Sequence, residues 1–152
     1  MPDPLDIARE YAAQPELWAD LVSHDADRRT YALLRDDDDV TAWIICWMDG
    51  HDTGYHDHDG SAGAVHVVAG HVVEERLRID GPPARREAGP GEDFGFAAED
   101  IHRVVHGGGP PAVTIHVYSP PLRRQGGYVI DADGTLRRRS MTEDEELRPI
   151  TA

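Results

Sequence analysis

The spacing of hydrophobic positions changes after the first 27 residues, from a helical period to a period of two. Near the N-terminus, Asp3 is placed to cap a helix that begins at Pro4, and the apolar residues that follow return on one helical face. A second short helix is predicted to begin at Pro15. We therefore expect an N-terminal helical segment over residues 1–27.

From residue 31 onwards, short apolar runs are separated by glycine and proline, which is typical of β-strands. The strand candidates are 31–34, 40–48, 64–69, 72–79, 93–96, 102–105, 113–118, 128–131 and 135–138. The acidic residues 36–39 are predicted to form a solvated turn, and Asp133-Gly134 a hairpin turn. About nine strands after short helices favour an all-β sandwich or barrel, followed by a polar tail over 141–152.

Length and charge limit the classes of function. The 152 residues fit one domain, 1–152, and the formal net charge is −14. All 15 basic residues are arginine, and neither lysine nor asparagine occurs. The absence of lysine excludes Schiff-base chemistry and a P-loop. The negative charge argues against nucleic acid or an anionic membrane as a partner, because their phosphates would be repelled.

The sequence predicts neither a signal peptide nor a membrane span. The first residues carry no basic region followed by an apolar stretch, and no run approaches the roughly 18 apolar residues of a membrane span. We therefore expect a cytoplasmic protein. The single cysteine, Cys46, lies in an apolar run and is predicted to be a small buried hydrophobe, with a catalytic thiol as the alternative.

Histidine is clustered along the chain. Eight of the nine histidines lie between His51 and His116. On an extended backbone, residues i and i+2 point the same way, so His56 and His58 are placed to face one metal ion while Asp57 faces away. Gly50 and Gly70 frame this pair at the spacing of the first metal motif of the cupin superfamily, which the stretch resembles.

Cupins are double-sheet jelly rolls, which agrees with the predicted strands. The glutamate that usually follows the second histidine of the motif is missing, since Ala62 and Gly63 stand at those positions. The third metal ligand must come from elsewhere. His102 opens a predicted strand where the second cupin motif supplies its histidine, and His106 is the alternative.

Three segments together resemble the cysteine dioxygenases and related thiol dioxygenases. They are His56-Asp57-His58, the I-H-R-V of 101–104, and the P-A-V-T-I-H-V-Y-S-P-P of 111–121, within a resemblance that covers residues 28–121. The resemblance implies Fe(II) held by His56, His58 and His102. It also implies oxidation of a small thiol, cysteine or a related mercapto acid, by dioxygen to the sulfinate. The alternatives are a cupin metalloenzyme of other chemistry, or a non-catalytic cupin that binds a small ligand or a metal.

Thr114, His116 and Tyr118 follow one another at every second position of a predicted strand, so all three share a face. They match the serine-histidine-tyrosine relay of the resembling family, with threonine in place of serine. We expect His116, held between two hydroxyls, to direct Tyr118 toward the iron-bound substrate as an acid or hydrogen-bond donor. The alternative is an ordinary inward strand face with satisfied polar groups.

The substrate-binding side departs from the family pattern. Cysteine dioxygenases hold the substrate carboxylate with an arginine on the strand before the acidic turn, and that position here is Tyr31. Arg29 shares the face of Tyr31 and is expected to bind the carboxylate in place of the missing arginine, with Arg123 or Arg124 as alternatives. Trp47, one strand before the histidine motif, is expected in the pocket or the core. The predicted substrate-binding residues are therefore Arg29, Tyr31 and Trp47.

One further difference concerns a covalent crosslink. In animal cysteine dioxygenases, a cysteine that follows the second histidine by five residues is crosslinked to the active-site tyrosine. That position here is Gly63. We therefore expect no crosslink to Tyr118.

Overall fold

The computed structural model describes residues 2–142, so all but the first two residues of the predicted polar tail lie outside the described residues. Helix α1 spans Pro4–Ala12. As predicted, Asp3 caps it, and its Oδ1 accepts a hydrogen bond from the Leu5 amide at 2.9 Å. Among the described residues, no helix combines the length and apolar character needed to cross a membrane.

The second predicted helix was wrong in form. The chain makes two separate 3₁₀ turns there, Pro15–Leu17 and Ala19–Leu21. Trp18 interrupts them because its φ of −141° is not helical. Its indole Nε1 donates instead to the carbonyl oxygen of Tyr11 at 2.8 Å, which ties this segment back to α1.

Ten strands follow within the described residues. They are β1 (Thr30–Asp36), β2 (Thr41–Trp47), β3 (Ala62–Ala69), β4 (Val72–Arg76), β5 (Ala84–Ala88), β6 (Asp93–Phe96), β7 (His102–His106), β8 (Ala112–Ser119), β9 (Arg124–Ile130) and β10 (Leu136–Thr142). Each predicted strand overlaps one of these. Strand β5 was missed because its exposed, mostly charged residues carry no apolar alternation, as an edge strand can allow.

The first sheet is antiparallel, in the order β1-β2-β8-β3-β6. Its central strands β2 and β8 are buried along their whole length, which explains their long apolar runs. Ile7 and Ala8 of α1 pack on the outer face against Ile115 and Val117. This sheet is the rigid wall from which the inward side chains of β8 project.

The second wall is assembled from two pieces. One is the sheet β5-β4-β7 and the other is the hairpin β9-β10. Residues 55–57, here called the bridging segment, join them: the amide of His56 donates to the carbonyl of His102 at 2.8 Å, and the amide of Asp57 donates to the carbonyl of Gly126 at 2.8 Å. The molecule is therefore a double-sheet structure, as predicted.

The main core lies between the two walls. Its buried members are Trp43, Ile45, Trp47, Val65, Val67, Val72, Ala88, Phe94, Phe96, Val104, Ala112, Tyr118 and Leu122. Cys46 is buried on the opposite face of β2, where it packs with Ile44 and Val113. This placement is that of the small buried hydrophobe predicted for Cys46.

Candidate metal centre

Three histidine side chains converge at one end of the space between the walls. Each of His56, His58 and His102 offers a nitrogen, and these ligand atoms all lie within 4.8 Å of one another. All three residues are buried. The alternation within His56-Asp57-His58 turns both histidines inward, and the antiparallel bonds between His56 and His102 set β7 beside them.

Hydrogen bonds fix the orientation of two of the rings. Nδ1 of His56 donates to the carbonyl oxygen of Gly54 at 2.9 Å, and Nδ1 of His102 donates to Glu74 Oε2 at 2.6 Å. These contacts leave Nε2 of each ring as the atom that can bind a metal. The Nε2 atoms of His58 and His102 are 3.3 Å apart. Two nitrogens about 2.1 Å from one ion would be separated by roughly 3.0–3.4 Å, so this spacing fits a shared ion.

Burial keeps these rings neutral. It lowers the pKa of His56 to about 4 and holds the pKa of His58 and of His102 well below the ordinary value for histidine. A neutral imidazole is the form that binds a metal, so the ligands need not lose protons at neutral pH. Imidazole nitrogens suit zinc, copper, iron and nickel, and a donor set without a carboxylate leaves the charge of the ion uncompensated.

His106, the alternative third ligand, lies away from the cluster. It ends β7, whereas His102 begins that strand. Its Nε2 lies 2.8 Å from the carbonyl oxygen of Pro110, and its Nδ1 lies 2.9 Å from Asp49 Oδ1. The structure brings His102, not His106, to the other two histidines.

The predicted relay forms one hydrogen-bonded row along β8. Thr114 Oγ1 is 2.8 Å from His116 Nε2, and His116 Nδ1 is 3.3 Å from the Tyr118 hydroxyl. All three residues are buried, and burial lowers the pKa of His116 to about 3. The ring of Tyr118 lies 5.4 Å from that of His58, measured between centroids. The row therefore ends beside the histidine cluster.

Trp47 supports the start of this row. Its indole Nε1 donates to Thr114 Oγ1 at 2.8 Å, and its ring stacks at 6.1 Å on that of His116. An indole N–H can only donate, so the threonine oxygen accepts from Trp47, and the threonine hydroxyl also donates toward the Ile45 carbonyl oxygen at 3.4 Å. These contacts hold the His116 ring between the Thr114 and Tyr118 hydroxyls.

Two of the predicted substrate-binding residues differ in burial: Arg29, which precedes β1, and Tyr31, which lies on that strand. Arg29 is 2% exposed, and its guanidinium lies 5.3 Å from the centroid of the Trp47 ring. Its charge contributes to the lowered pKa of His116, after burial. Tyr31 is 45% exposed and packs edge-on against Trp43 at 5.5 Å. Arg29 is thus inside the site and Tyr31 at its edge.

The alternative arginines lie elsewhere. Arg123 is about half exposed and pairs with Asp36 at 2.8 Å, and Arg124 is exposed. Arg123 precedes β9 and Arg124 is its first residue, and both are exposed. Among these three arginines, the structure brings only Arg29 to the site within the part of the chain that it describes.

Phe96 fills the apolar side of the cluster. Its ring stacks on His58 at 4.3 Å and lies 4.5 Å from the ring of His102. Gly63 provides the space for this ring: a Cβ there would lie 2.5 Å from Phe96 Cζ and 2.9 Å from Tyr118 Cδ1. The site is therefore apolar and closely packed on this side.

Two acidic residues that support the histidines were missed at the sequence level. Glu74 is buried on β4, where it also accepts from Arg76 Nη2 at 2.7 Å. Asp57 faces away from the cluster, as expected. Burial raises the pKa of its carboxyl, but hydrogen bonds from Arg138 and Tyr128 outweigh this effect and the net pKa is lowered. The sequence signal for their role was weak: Glu74 follows the apolar Val72 and Val73, and Asp57 lies between two histidines.

Two facing antiparallel walls with inward histidines place the protein among the cupins. Solved structures share the fold. A protein from Thermus thermophilus matches with a TM-score of 0.60 and 17% identity, covering 68% of this chain and 93% of that one. A cupin superfamily protein from Desulfitobacterium hafniense matches with a TM-score of 0.58 and 14% identity, covering 68% of this chain and 87% of that one.

The family is more specific than the fold. The model of the family "Cysteine dioxygenase type I" matches residues 5–129, and the chain belongs to that family. This confirms the resemblance found in the sequence. Cysteine dioxygenase type 1 of Danio rerio is 26% identical over 129 residues, which cover 78% of this chain. The match spans 64% of the length of that relative.

Proposed function

We propose that this protein is an Fe(II)-dependent thiol dioxygenase. It oxidises a small thiol, cysteine or a related mercapto acid, to the sulfinate. Both atoms of dioxygen are added to the sulfur, which supplies all the electrons that reduce them. The observation that carries the proposal is the buried cluster His56, His58 and His102 beside the hydrogen-bonded row that ends at Tyr118.

The three histidines would hold the iron through Nε2. Fe(II) bound there would supply open positions at which a thiolate and dioxygen can meet. Glu74 and the Gly54 carbonyl keep two rings in the required tautomer. Phe96 keeps water from the apolar side of the cluster, which strengthens the electrostatic interactions inside it.

The β8 row would place a proton at a defined atom. Trp47 donates to Thr114. In the proposed arrangement, Thr114 would donate to His116 and not to the Ile45 carbonyl, and His116 would donate to the oxygen of Tyr118. The phenolic O–H of Tyr118 would then be the donor at the end of the row. Tyr118 can hydrogen-bond to the reacting group or give it a proton, while His116 fixes the position of the hydroxyl.

Arg29 is the residue proposed to bind a carboxylate on the substrate. A guanidinium offers two parallel N–H donors to a carboxylate, and the face of Trp47 holds this one in place. Burial strengthens such a pair, since water does not compete for it. The proposed substrate class is therefore a thiol that carries a carboxylate.

The proposed partners are the thiol and dioxygen, and nucleic acid is not among them. The net charge of −14 would repel phosphates. The proposed location is the cytoplasm, where a lone thiol such as that of Cys46 stays reduced.

Iron analysis combined with oxygen uptake tests the proposal. The iron-loaded protein is incubated with cysteine, cysteamine, mercaptopropionate and mercaptosuccinate, and the sulfinate is identified by mass spectrometry. We expect oxygen uptake and sulfinate to match. Thr114→Ser should retain most of the rate because it keeps the hydroxyl, whereas Thr114→Val and His116→Ala should lose rate with iron retained.

Three results would contradict parts of this proposal. Failure to bind any metal would exclude the mechanism. An iron-loaded protein inert toward the whole panel would exclude these substrates. Tight binding of a thiol without turnover would favour a ligand-binding cupin instead of an enzyme.

A further inference from the structure

The bridging segment makes isolated β-bridges with neighbours on both sides. On one side it bonds to His102 of β7. On the other it bonds to the hairpin β9-β10, where the Asp57 amide donates to Gly126 and the Tyr128 amide donates to the Tyr55 carbonyl, both at 2.8 Å. His56, a proposed metal ligand, lies in the middle of this segment. The C-terminal hairpin therefore forms one of the two borders that hold the ligand in place.

The side chain of Asp57 strengthens this border. It lies between two proposed ligands but faces the hairpin. Its oxygens accept from the Gly126 amide at 2.9 Å, from the Tyr128 hydroxyl at 2.7 Å, and from Arg138 Nε and Nη2 at 3.0 and 3.2 Å. All three donor residues belong to β9 or β10. A buried carboxylate left without such donors would be strongly unfavourable.

Arg138 reaches Asp57 by crossing β9 at a glycine. A Cβ on Gly126 would lie 2.5 Å from the Arg138 guanidinium carbon. Arg138 also lies 3.6 Å from Asp59 Oδ1, just beyond the second histidine of the motif. Its neighbour Arg137 points elsewhere and pairs with Asp131 at the exposed turn end of the hairpin. Arg138 thus contacts the histidine motif, whereas its neighbour Arg137 pairs with Asp131.

We propose that docking of the hairpin β9-β10 and metal binding at His56 and His58 are thermodynamically linked, with Arg138 as the positioning residue acting through Asp57. The inference rests on the proposed metal site. Ligand side chains must be held to within about half an ångström for a productive site, and the hairpin supplies one side of that constraint. Linkage is reciprocal, so metal should hold the hairpin as strongly as the hairpin holds the metal ligands.

The first test is a titration with Co(II) alone, followed by its visible absorption. Arg138→Gln removes the charge, and Gly126→Ala displaces the same side chain without changing any charge. We expect both to bind Co(II) at least tenfold more weakly than the wild type, with an altered spectrum. Arg137→Gln is the matched control and should bind Co(II) as the wild type does.

The second test needs no variant. Hydrogen exchange of the wild-type protein is measured with and without Co(II). The amides of Gly126 and Tyr128 donate to the bridging segment, so a peptide covering 124–130 should exchange more slowly when Co(II) is bound. A peptide from β1 and β2 should show no comparable change. A merely stabilising role for the hairpin would not give this selective protection.

The outcomes separate the inference from the proposed function. If the wild type and all variants bind Co(II) equally, or if exchange over 124–130 ignores the metal, the linkage is overturned while the metal site stands. If the wild type binds no Co(II), the proposed metal site itself fails. Weaker binding by both Arg138→Gln and Gly126→Ala, with selective protection of 124–130, supports the linkage.

Discussion

The two walls of the molecule are built by different chemistry. The wall that contains β2 and β8 is buried along its central strands and mostly apolar outside the row that ends at Tyr118, and its order follows from hydrophobic burial. The wall that carries the histidine motif buries charged groups, and each is matched by a partner: Glu74 by His102 and Arg76, Asp57 by Arg138. The first wall should set the stability of the fold and the second the affinity for the metal.

The largest effect is expected for a ligand on the polar wall. His102→Ala removes one of three proposed ligands and should weaken metal binding by more than about a hundredfold, with loss of oxygen uptake. His106→Ala, at the other end of the same strand, should bind metal as the wild type does. Metal content after dialysis and a Co(II) titration measure both. Equal loss in the two variants would contradict the assignment of His102.

The apolar wall should respond in the opposite way. Ile115 lies on β8 and is fully buried against helix α1. Ile115→Ala should therefore lower the free energy of unfolding by about 2–5 kcal/mol. Ile115→Val should cost about 0.5–1.5 kcal/mol. Urea unfolding gives these values. Metal affinity of the folded variants should stay unchanged, and a loss of affinity that follows stability would show that the walls do not act separately.

Support for a ligand should matter less than the ligand itself. Glu74→Gln keeps the shape but removes the charge that orients His102, and should weaken Co(II) binding about 10–100-fold. Glu75, the next residue, contacts Tyr55 and Arg103 instead of His102, so Glu75→Gln serves as the control. If Glu75→Gln has the larger effect, the orienting role of Glu74 is wrong.

The carboxylate proposal predicts a change that depends on the substrate. Arg29→Gln should raise KM for cysteine or mercaptopropionate about tenfold or more, because a charge-assisted hydrogen bond contributes about 1.5–3 kcal/mol. KM for cysteamine, which has no carboxylate, should change little. Arg28→Gln removes a neighbouring exposed charge and controls for net charge. A similar rise for all substrates would argue against carboxylate binding.

The smallest expected effect is the pH dependence of folding stability that His116 causes. His116 has a pKa of about 3 when folded because it is buried, against an unfolded value near 6.5. Below pH 6.5, His116 binds a proton in the unfolded chain but stays neutral in the folded chain. The metal-free protein therefore loses stability as the pH falls. His116 alone should account for roughly 1 kcal/mol between neutral pH and about pH 5.5. Urea unfolding of His116→Gln should show a shallower decline, and parallel curves would contradict this.

The contrast between the walls also explains what could be predicted from the sequence. Strands β2 and β8 were identified because continuous apolar runs depend only on local residue order. The histidine pair was identified because alternation on an extended strand is local as well. Strand β5 was missed, and β9 was predicted to begin at 128 instead of Arg124, because their positions are fixed by partner strands and not by apolar pattern.

The polar contacts of the site were beyond local reasoning. Asp57 and Arg138 are 81 residues apart, and each taken alone is an ordinary charged residue. Glu74 occurs in a run of two acids, and only the fold decides that it faces inward and Glu75 does not. Arg29 and Tyr31 share a face by alternation, but which of them is covered depends on the edge of the sheet. Which charged residues pair depends on how distant parts of the chain meet in the fold, whereas an apolar face can be predicted from local residue order.

The close packing of Phe96 over Gly63 restricts which residue can stand at position 63. In the animal relatives, the residue at the position of Gly63 is a cysteine joined to the tyrosine. Here any side chain at that position would run into the Phe96 ring before it reached Tyr118. A cysteine at position 63 would therefore require the Phe96 ring to shift from its place over His58 and His102. The volume around residue 63, and not the position of the tyrosine, is what opposes a crosslink in this fold.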